Sequence, residues 1–151
     1  IIVMNNIVVE CCDVGFSYDS RFQFNLNTLQ LEQGETLFVQ GRSGSGKTTF
    51  LNLLLGFLQP QQGNIHVLGT DIHDLSPAQR DRFRADHMSV IFQQFNLIPY
   101  LTVLENVIAP LTFSKHKRKT IADSALSEKE EAIRLCLALG IDETIINVSV
   151  Q

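Results

Sequence analysis

Gly41-Arg42-Ser43-Gly44-Ser45-Gly46-Lys47-Thr48 has the spacing of a phosphate-binding loop, with a glycine, four intervening residues, Gly-Lys and a hydroxyl. Glycines at such positions let successive backbone N–H groups turn inward as an anion-binding nest. Lys47 then reaches the β- and γ-phosphates, and the Thr48 hydroxyl ligates Mg²⁺. The chemistry is the holding of a nucleoside triphosphate.

Such a loop needs a strand to feed it and a helix to leave it. The apolar run Thr36-Leu37-Phe38-Val39 predicts a strand ending at Gln40, and Thr49-Phe50-Leu51-Asn52-Leu53-Leu54-Leu55 predicts a helix that stops near Gly56 to Gln59, before Pro60. That order aims the positive end of the helix dipole at the phosphates. A Gly/Ser-rich linker containing Gly-Lys-Thr by chance would not be flanked by two apolar elements.

Around this unit, Ile7 to Cys12 and Phe22 to Leu31 predict strands of an antiparallel sheet, the second with Phe22, Phe24 and Leu26 alternating against Gln23, Asn25 and Asn27. Gly34-Glu35 predicts a turn, Gly63 to Leu68 a strand, and Met88 to Phe92 a further apolar strand. Ser76 as N-cap and Pro77 at the first helical position open a short helix. Thr102 with Glu105 is a capping box that opens a helix through about Ile108, which Pro110 ends. Ser127 with Glu130 is a second, leading into Ile133, Leu135, Cys136, Leu137 and Leu139 and closed by Gly140, with Cys136 in the core. Strands alternating with helices around a phosphate loop imply an α/β fold with an open parallel sheet.

The chain of 151 residues, 44% of them hydrophobic, suffices for one domain with a packed core. A net charge of −4 supplies no global attraction to nucleic acid or anionic lipid, so any such binding needs a local patch. The one basic run, Lys115-His116-Lys117-Arg118-Lys119, could touch lipid headgroups or nucleic acid. It lacks interleaved aromatics and is expected to be a solvated loop between two helices. Cys11, Cys12 and Cys136 have no metal-ligand spacing and suggest reduced thiols. No apolar stretch approaches the roughly 20 residues of a spanning helix, and no signal peptide is visible, so a cytosolic location is expected. Ile1 is not a methionine and the first is Met4, so the native start is expected elsewhere.

Three segments together resemble the nucleotide-binding domain of ATP-binding-cassette (ABC) transporters: Val14-Gly15-Phe16-Ser17-Tyr18, the loop Gly41 to Thr49, and Val90-Ile91-Phe92-Gln93-Gln94-Phe95-Asn96-Leu97-Ile98-Pro99. The stretch from Phe92 to Val107 looks most like the subfamily of lipoprotein release, macrolide export and cell division. The resemblance implies a P-loop ATPase core with an antiparallel β-subdomain over residues 1–95 and part of a helical subdomain over 96–151. It assigns phosphate binding to Gly41, Ser43, Gly44, Ser45, Gly46, Lys47, Thr48 and Thr49, and Mg²⁺ to Thr48 and Gln93. Gln93, preferred over Gln94, also reaches the attacking water, and Tyr18 stacks on adenine. Stacking needs only a flat π face, and Tyr18 equally suits packing at a strand end.

The implied cofactors are ATP and Mg²⁺. The implied partners are an integral membrane permease subunit and a second ATP-binding subunit in a head-to-tail dimer, with no nucleic acid, at the inner face of the plasma membrane. The family's Leu-Ser-Gly-Gly-Gln signature, the strand ending Asp-Glu and the switch histidine have no match here, since His66, His73, His87 and His116 lie in other contexts. The resemblance therefore implies that these residues alone bind Mg-ATP weakly at best without hydrolysing it. It also implies a gap in the sheet beside the Met88 to Phe92 strand, which would leave the isolated chain poorly soluble or loosely packed. Two readings compete with a transporter ATPase: a non-catalytic nucleotide-binding remnant, and a soluble ABC-type ATPase of DNA repair or translation.

Overall fold

A computed structural model describes residues 6–94 and 96–150; Ile1, Met4, Phe95 and Gln151, named above, lie outside them. The chain divides into two compact units, one up to Arg80 and one from Asp81.

The first unit is built on strand β1 (Ile7–Asp19), which pairs antiparallel with β2 (Phe22–Glu32) on one side and β3 (Gln62–Val67) on the other. A short β4 (Thr70–Asp71) completes the order β2-β1-β3-β4. The hairpin turns at Ser20-Arg21, where the Arg21 N–H donates to Asp19 Oδ1 at 2.7 Å. Along β2 the half-buried side chains are Phe22, Phe24 and Leu26, then Leu29 and Leu31, so the alternation expected of a sheet with one covered face slips phase once, at Thr28. Cys11 faces Leu29 on one neighbour and Ile65 on the other, and is fully buried. Burial, reinforced by the neighbouring Cys12 and Glu10, pushes its thiol up to about 11, so it is an inert packing group.

Helix α1 (Lys47–Leu54) leaves the phosphate loop as expected and buries Thr49, Phe50 and Leu53, which share one face. It ends at Leu54, short of the expected stop near Gly56 to Gln59, with Gly56 just beyond in a left-handed conformation (φ 69°). Helix α2 (Pro77–His87) begins at Pro77, as the sequence predicts, and Gln79 Oε1 accepts from the Ser76 N–H at 3.0 Å.

Two expected strands are absent. Residues 35–42 have no regular structure, and Leu37 and Phe38 are exposed, Phe38 at 83%. Residues 88–92 are also irregular, with Ile91 at 99% exposure. The described sheet is wholly antiparallel. A parallel strand is stabilised only by neighbours reached through crossovers, and no described strand pairs with either segment.

In the second unit, both expected capping boxes form. Thr102 opens α3 (Val103–Ile108) with Glu105, and Ser127 opens α5 (Glu128–Ala138) with Glu130. A 3₁₀ turn, Ala109–Phe113, follows α3 with Pro110 near its start. Leu104, Ala132, Cys136 and Ile146, the last from α6 (Glu143–Ile146), form the core, which confirms Cys136 as packing. The basic run is not a loop: Lys115–Asp123 is helix α4, N-capped by the buried Ser114, whose Oγ accepts from the Lys117 N–H at 3.0 Å. Ser114 Oγ in turn donates to Asp86 Oδ1 at 2.6 Å, and this bond, with the Asp86 contact to the His116 N–H, holds the Asp86 carboxyl below the usual range.

Candidate functional site

Each glycine that shapes the loop has a local reason. A Cβ at Gly41 would stand 2.4 Å from Ser45 Oγ. Gly46 caps α1 at φ 93°, a left-handed conformation that L side chains rarely adopt, and a Cβ there would meet the rings of Phe22 at 3.2 Å and Phe24 at 3.3 Å. Gly44 is also left-handed, at φ 78°, whereas the Ser45 N–H folds back onto the Arg42 carbonyl at 3.2 Å.

The helix that follows has no side-chain cap and no acidic residue in its first turn. The first α-helical turn leaves N–H groups without intrahelical partners, and here nothing on a side chain takes them up. The positive end of the helix dipole thus coincides with donor groups on a glycine-shaped loop, the chemistry that receives a phosphate. Lys47 Nζ donates to the carbonyls of Gly41 and Arg42 at 2.7 and 2.8 Å. The ammonium is held across the mouth of the loop on neutral acceptors that phosphate oxygens, with stronger charge-assisted bonds, would replace. Thr48 is exposed at the second position of α1, whereas Thr49 is buried. Ser43 and Ser45 are exposed on the loop.

The structure brings Tyr18 to the same region. Its ring lies edge-on to Phe16, with centroids 4.8 Å apart, and tilted against Phe22 at 5.6 Å, yet it remains 59% exposed. Phe22 is the ring that abuts Gly46, so an aromatic series leads from Tyr18 to the cap of α1. The roles of Phe22 and Phe24 beside the loop escaped the sequence reading. Their alternation marked a strand, but the approach to Gly46 joins residues far apart in the chain.

An open groove of about 400 Å³ also borders the loop, lined by Phe24, Leu26, Leu29, Phe38, Phe50 and Lys47 among others. Its walls are apolar apart from Lys47 and its loop neighbours, and Tyr18 is not among them. That lining suits packing rather than a polyphosphate.

Gln93 belongs to the second unit, where it is exposed in a bend. The segment after it is anchored by Asn106, another residue the sequence reading gave no role. Asn106 Oδ1 accepts from the Ile98 N–H at 2.7 Å, while its Nδ2 donates to the carbonyls of Ile98 at 3.1 Å and Thr102 at 3.0 Å. An amide carries an acceptor oxygen and a two-proton donor nitrogen on separate atoms, which these bonds use together. Among the described residues no group of three or more His, Cys, Asp or Glu could hold a metal ion, and no helix is long and apolar enough to cross a membrane.

The family described as ABC transporter matches residues 24–148. The chain is 36% identical over 140 residues to the lipoprotein-releasing system ATP-binding protein LolD of Colwellia psychrerythraea, covering 89% of this chain and 53% of that protein. It is 40% identical over 100 residues to the macrolide export ATP-binding/permease protein MacB of Rhodopirellula baltica, covering 64% of this chain and 15% of MacB. Among solved structures, the dimeric post-hydrolysis state of the ATP-binding cassette MJ0796 bound to ADP and Pi superposes with a TM-score of 0.72 at 30% identity, covering 93% of this chain and 61% of that one. MJ0796 is an ABC transporter ATP-binding protein of Methanocaldococcus jannaschii. The chain thus spans about half the length of LolD and less than two thirds of the cassette.

Proposed function

This chain belongs to the ABC transporter family, and from that premise we propose that it is the phosphate-holding portion of an ATP-binding subunit that works on membrane subunits of a transporter. The observation that carries the reading is the uncapped N-terminus of α1, fronted by left-handed Gly46 and by Lys47 resting on two loop carbonyls. Loop N–H groups, helix dipole and the Lys47 ammonium converge on one point, where the β- and γ-phosphates of ATP fit.

In this reading the loop N–H groups from Gly41 to Thr49 hold the polyphosphate, and Lys47 exchanges its carbonyl partners for phosphate oxygens. Mg²⁺ would neutralise phosphate charge, and the residues proposed to hold it are Thr48, through its hydroxyl oxygen, and, as the family resemblance implies, Gln93, through its neutral amide oxygen. Gln93 also orients the attacking water. Tyr18 offers adenine an exposed ring face already braced by Phe16 and Phe22, which limits the conformational entropy lost on stacking. The likeness to LolD and MacB supports a role in the lipoprotein-release and macrolide-export branch, with a permease subunit and a second ATP-binding subunit as partners at the inner face of the plasma membrane.

These residues carry phosphate-holding groups but no strand ending Asp-Glu to supply a general base, so on their own they bind without turnover. The test is fluorescence titration with a methylanthraniloyl-ATP alongside a phosphate-release assay. Saturable binding without release is expected. Replacing Tyr18 by Ala should weaken binding roughly fivefold to 100-fold, the range for loss of one stacked base. Steady release that disappears in Lys47→Ala would overturn the binding-only reading, and unchanged affinity in Tyr18→Ala would return that ring to packing.

A further inference from the structure

Helix α4 breaks a local electrostatic rule. The N-terminal half of a helix favours acidic side chains, yet the first five residues of α4 are Lys115-His116-Lys117-Arg118-Lys119, and its first turn holds no acid. Lys115, Arg118 and Lys119 stand at i, i+3 and i+4, so they share one face, and all three are exposed. Like charges at those spacings repel each other and add to the positive end of the dipole. Among the described residues none of the three takes part in an ion pair. Asp86, bonded to Ser114 and the His116 N–H, lies at the start of the helix and Asp123 at its end. Lys117 and Ile121 are half-buried on the opposite side, so the fold turns the cationic side outward. Phe113, immediately before the cap, is 74% exposed.

A local rule broken on a helix fixed by a buried cap marks a functional surface, and an external anion would offset the unpaired charge. We propose that the Lys115/Arg118/Lys119 face of α4, with Phe113 at its edge, docks onto an anionic membrane surface. Cations beside an exposed aromatic are the combination that settles at headgroup level, where the charges meet lipid phosphates and the ring enters the interface. Nucleic acid fits less well: this patch of one helical turn offers few cations for phosphate contacts, and no aromatic is interleaved with them for base stacking. The acidic remainder of the chain adds to that disfavour. The preference for lipid also rests on the proposed function, which brings the domain to membrane subunits and so raises the effective concentration of the surface.

The experiment is flotation of the full chain with mixed phosphatidylcholine–phosphatidylglycerol vesicles and with pure phosphatidylcholine vesicles at low salt. Each such cation is worth about fivefold in partitioning, so a variant carrying Lys115→Gln, Arg118→Gln and Lys119→Gln should bind the mixed vesicles on the order of 100-fold more weakly. Added salt should weaken the unmodified chain in the same direction. Glutamine keeps helix propensity, and far-ultraviolet dichroism together with methylanthraniloyl-ATP binding confirms that each variant is folded. A second variant, Phe113→Ser, should lose part of the binding without losing its dependence on anionic lipid. Equal flotation on both vesicle types, no flotation, undiminished binding by the triple variant, or capture of duplex DNA in preference to mixed vesicles each overturns the proposal. Loss of nucleotide binding with flotation intact would overturn the proposed function alone, and the reverse result would overturn this docking surface alone.

Discussion

Replacing Gly46 by Ala tests the idea that the phosphate loop is held in shape by the absence of one side chain. At φ 93° and ψ 7° an L residue costs about 1–2 kcal/mol of backbone strain. The new Cβ would also lie 3.2 Å from Phe22 and 3.3 Å from Phe24, ring atoms set in a strand, and crowding of that kind adds about 1–3 kcal/mol. Alanine recovers about 0.4–1 kcal/mol by restricting the unfolded chain. The balance is a loss of about 2–4 kcal/mol. Gly44 is the internal control: it is left-handed too, at φ 78°, but a Cβ there meets nothing within 4 Å, so Gly44→Ala should cost only about 1 kcal/mol by the same strain and entropy terms. Hydrogen exchange read by mass spectrometry on peptides from α1 and β2 reports the local opening free energy of this unit without assuming that the whole chain unfolds in one step. Trimming Phe22 to Leu should recover part of the Gly46→Ala loss but none of the Gly44→Ala loss. Equal costs at the two glycines, or a neutral Gly46→Ala, would refute the reasoning, because the two sites differ chiefly in the rings that face them.

Asn106→Ala leaves the Ile98 N–H and the carbonyls of Ile98 and Thr102 without their side-chain partner and should cost about 1–3 kcal/mol; faster exchange confined to residues around 98–106 is the expected readout, and unchanged protection there would contradict the anchoring role. His73 is held below its usual value of 6.5, chiefly by burial, with Arg80 acting in the same direction against Asp71. The unfolded chain therefore binds the proton more readily. The contribution of His73 to stability is full above 6.5 and is lost as the pH falls below it. Denaturation profiles of the first unit should show that decline, and His73→Leu should flatten it; an equally steep decline in the variant would assign the effect elsewhere.

What was legible in the sequence was local. The phosphate loop, the Thr102/Glu105 and Ser127/Glu130 capping boxes and the Phe22 to Leu31 strand each depend on residues within a turn or two of one another. The misread elements depend on distant partners. Thr36 to Val39 and Met88 to Phe92 have the composition of strands, but a strand exists only with a neighbour to share its hydrogen bonds. The basic run lacks interleaved aromatics and sits in an acidic chain, which in the sequence suggests a solvated loop. What secures its helix start is Ser114, bonded to Asp86 at a separation of 28 residues. Phe22 and Phe24 gained their place beside Gly46 in the same way, through a contact that no spacing rule encodes.

The central claim is that the uncapped end of α1 and Lys47 form an ATP-phosphate site. Isothermal titration of the chain with ATP, with and without Mg²⁺, and of Lys47→Ala, tests it most directly. The account predicts saturable binding of one nucleotide, strengthened by Mg²⁺. Loss of the charge-assisted bonds in the variant should weaken it by about 10-fold or more. No measurable heat from the folded chain, or the same affinity in Lys47→Ala, would contradict it.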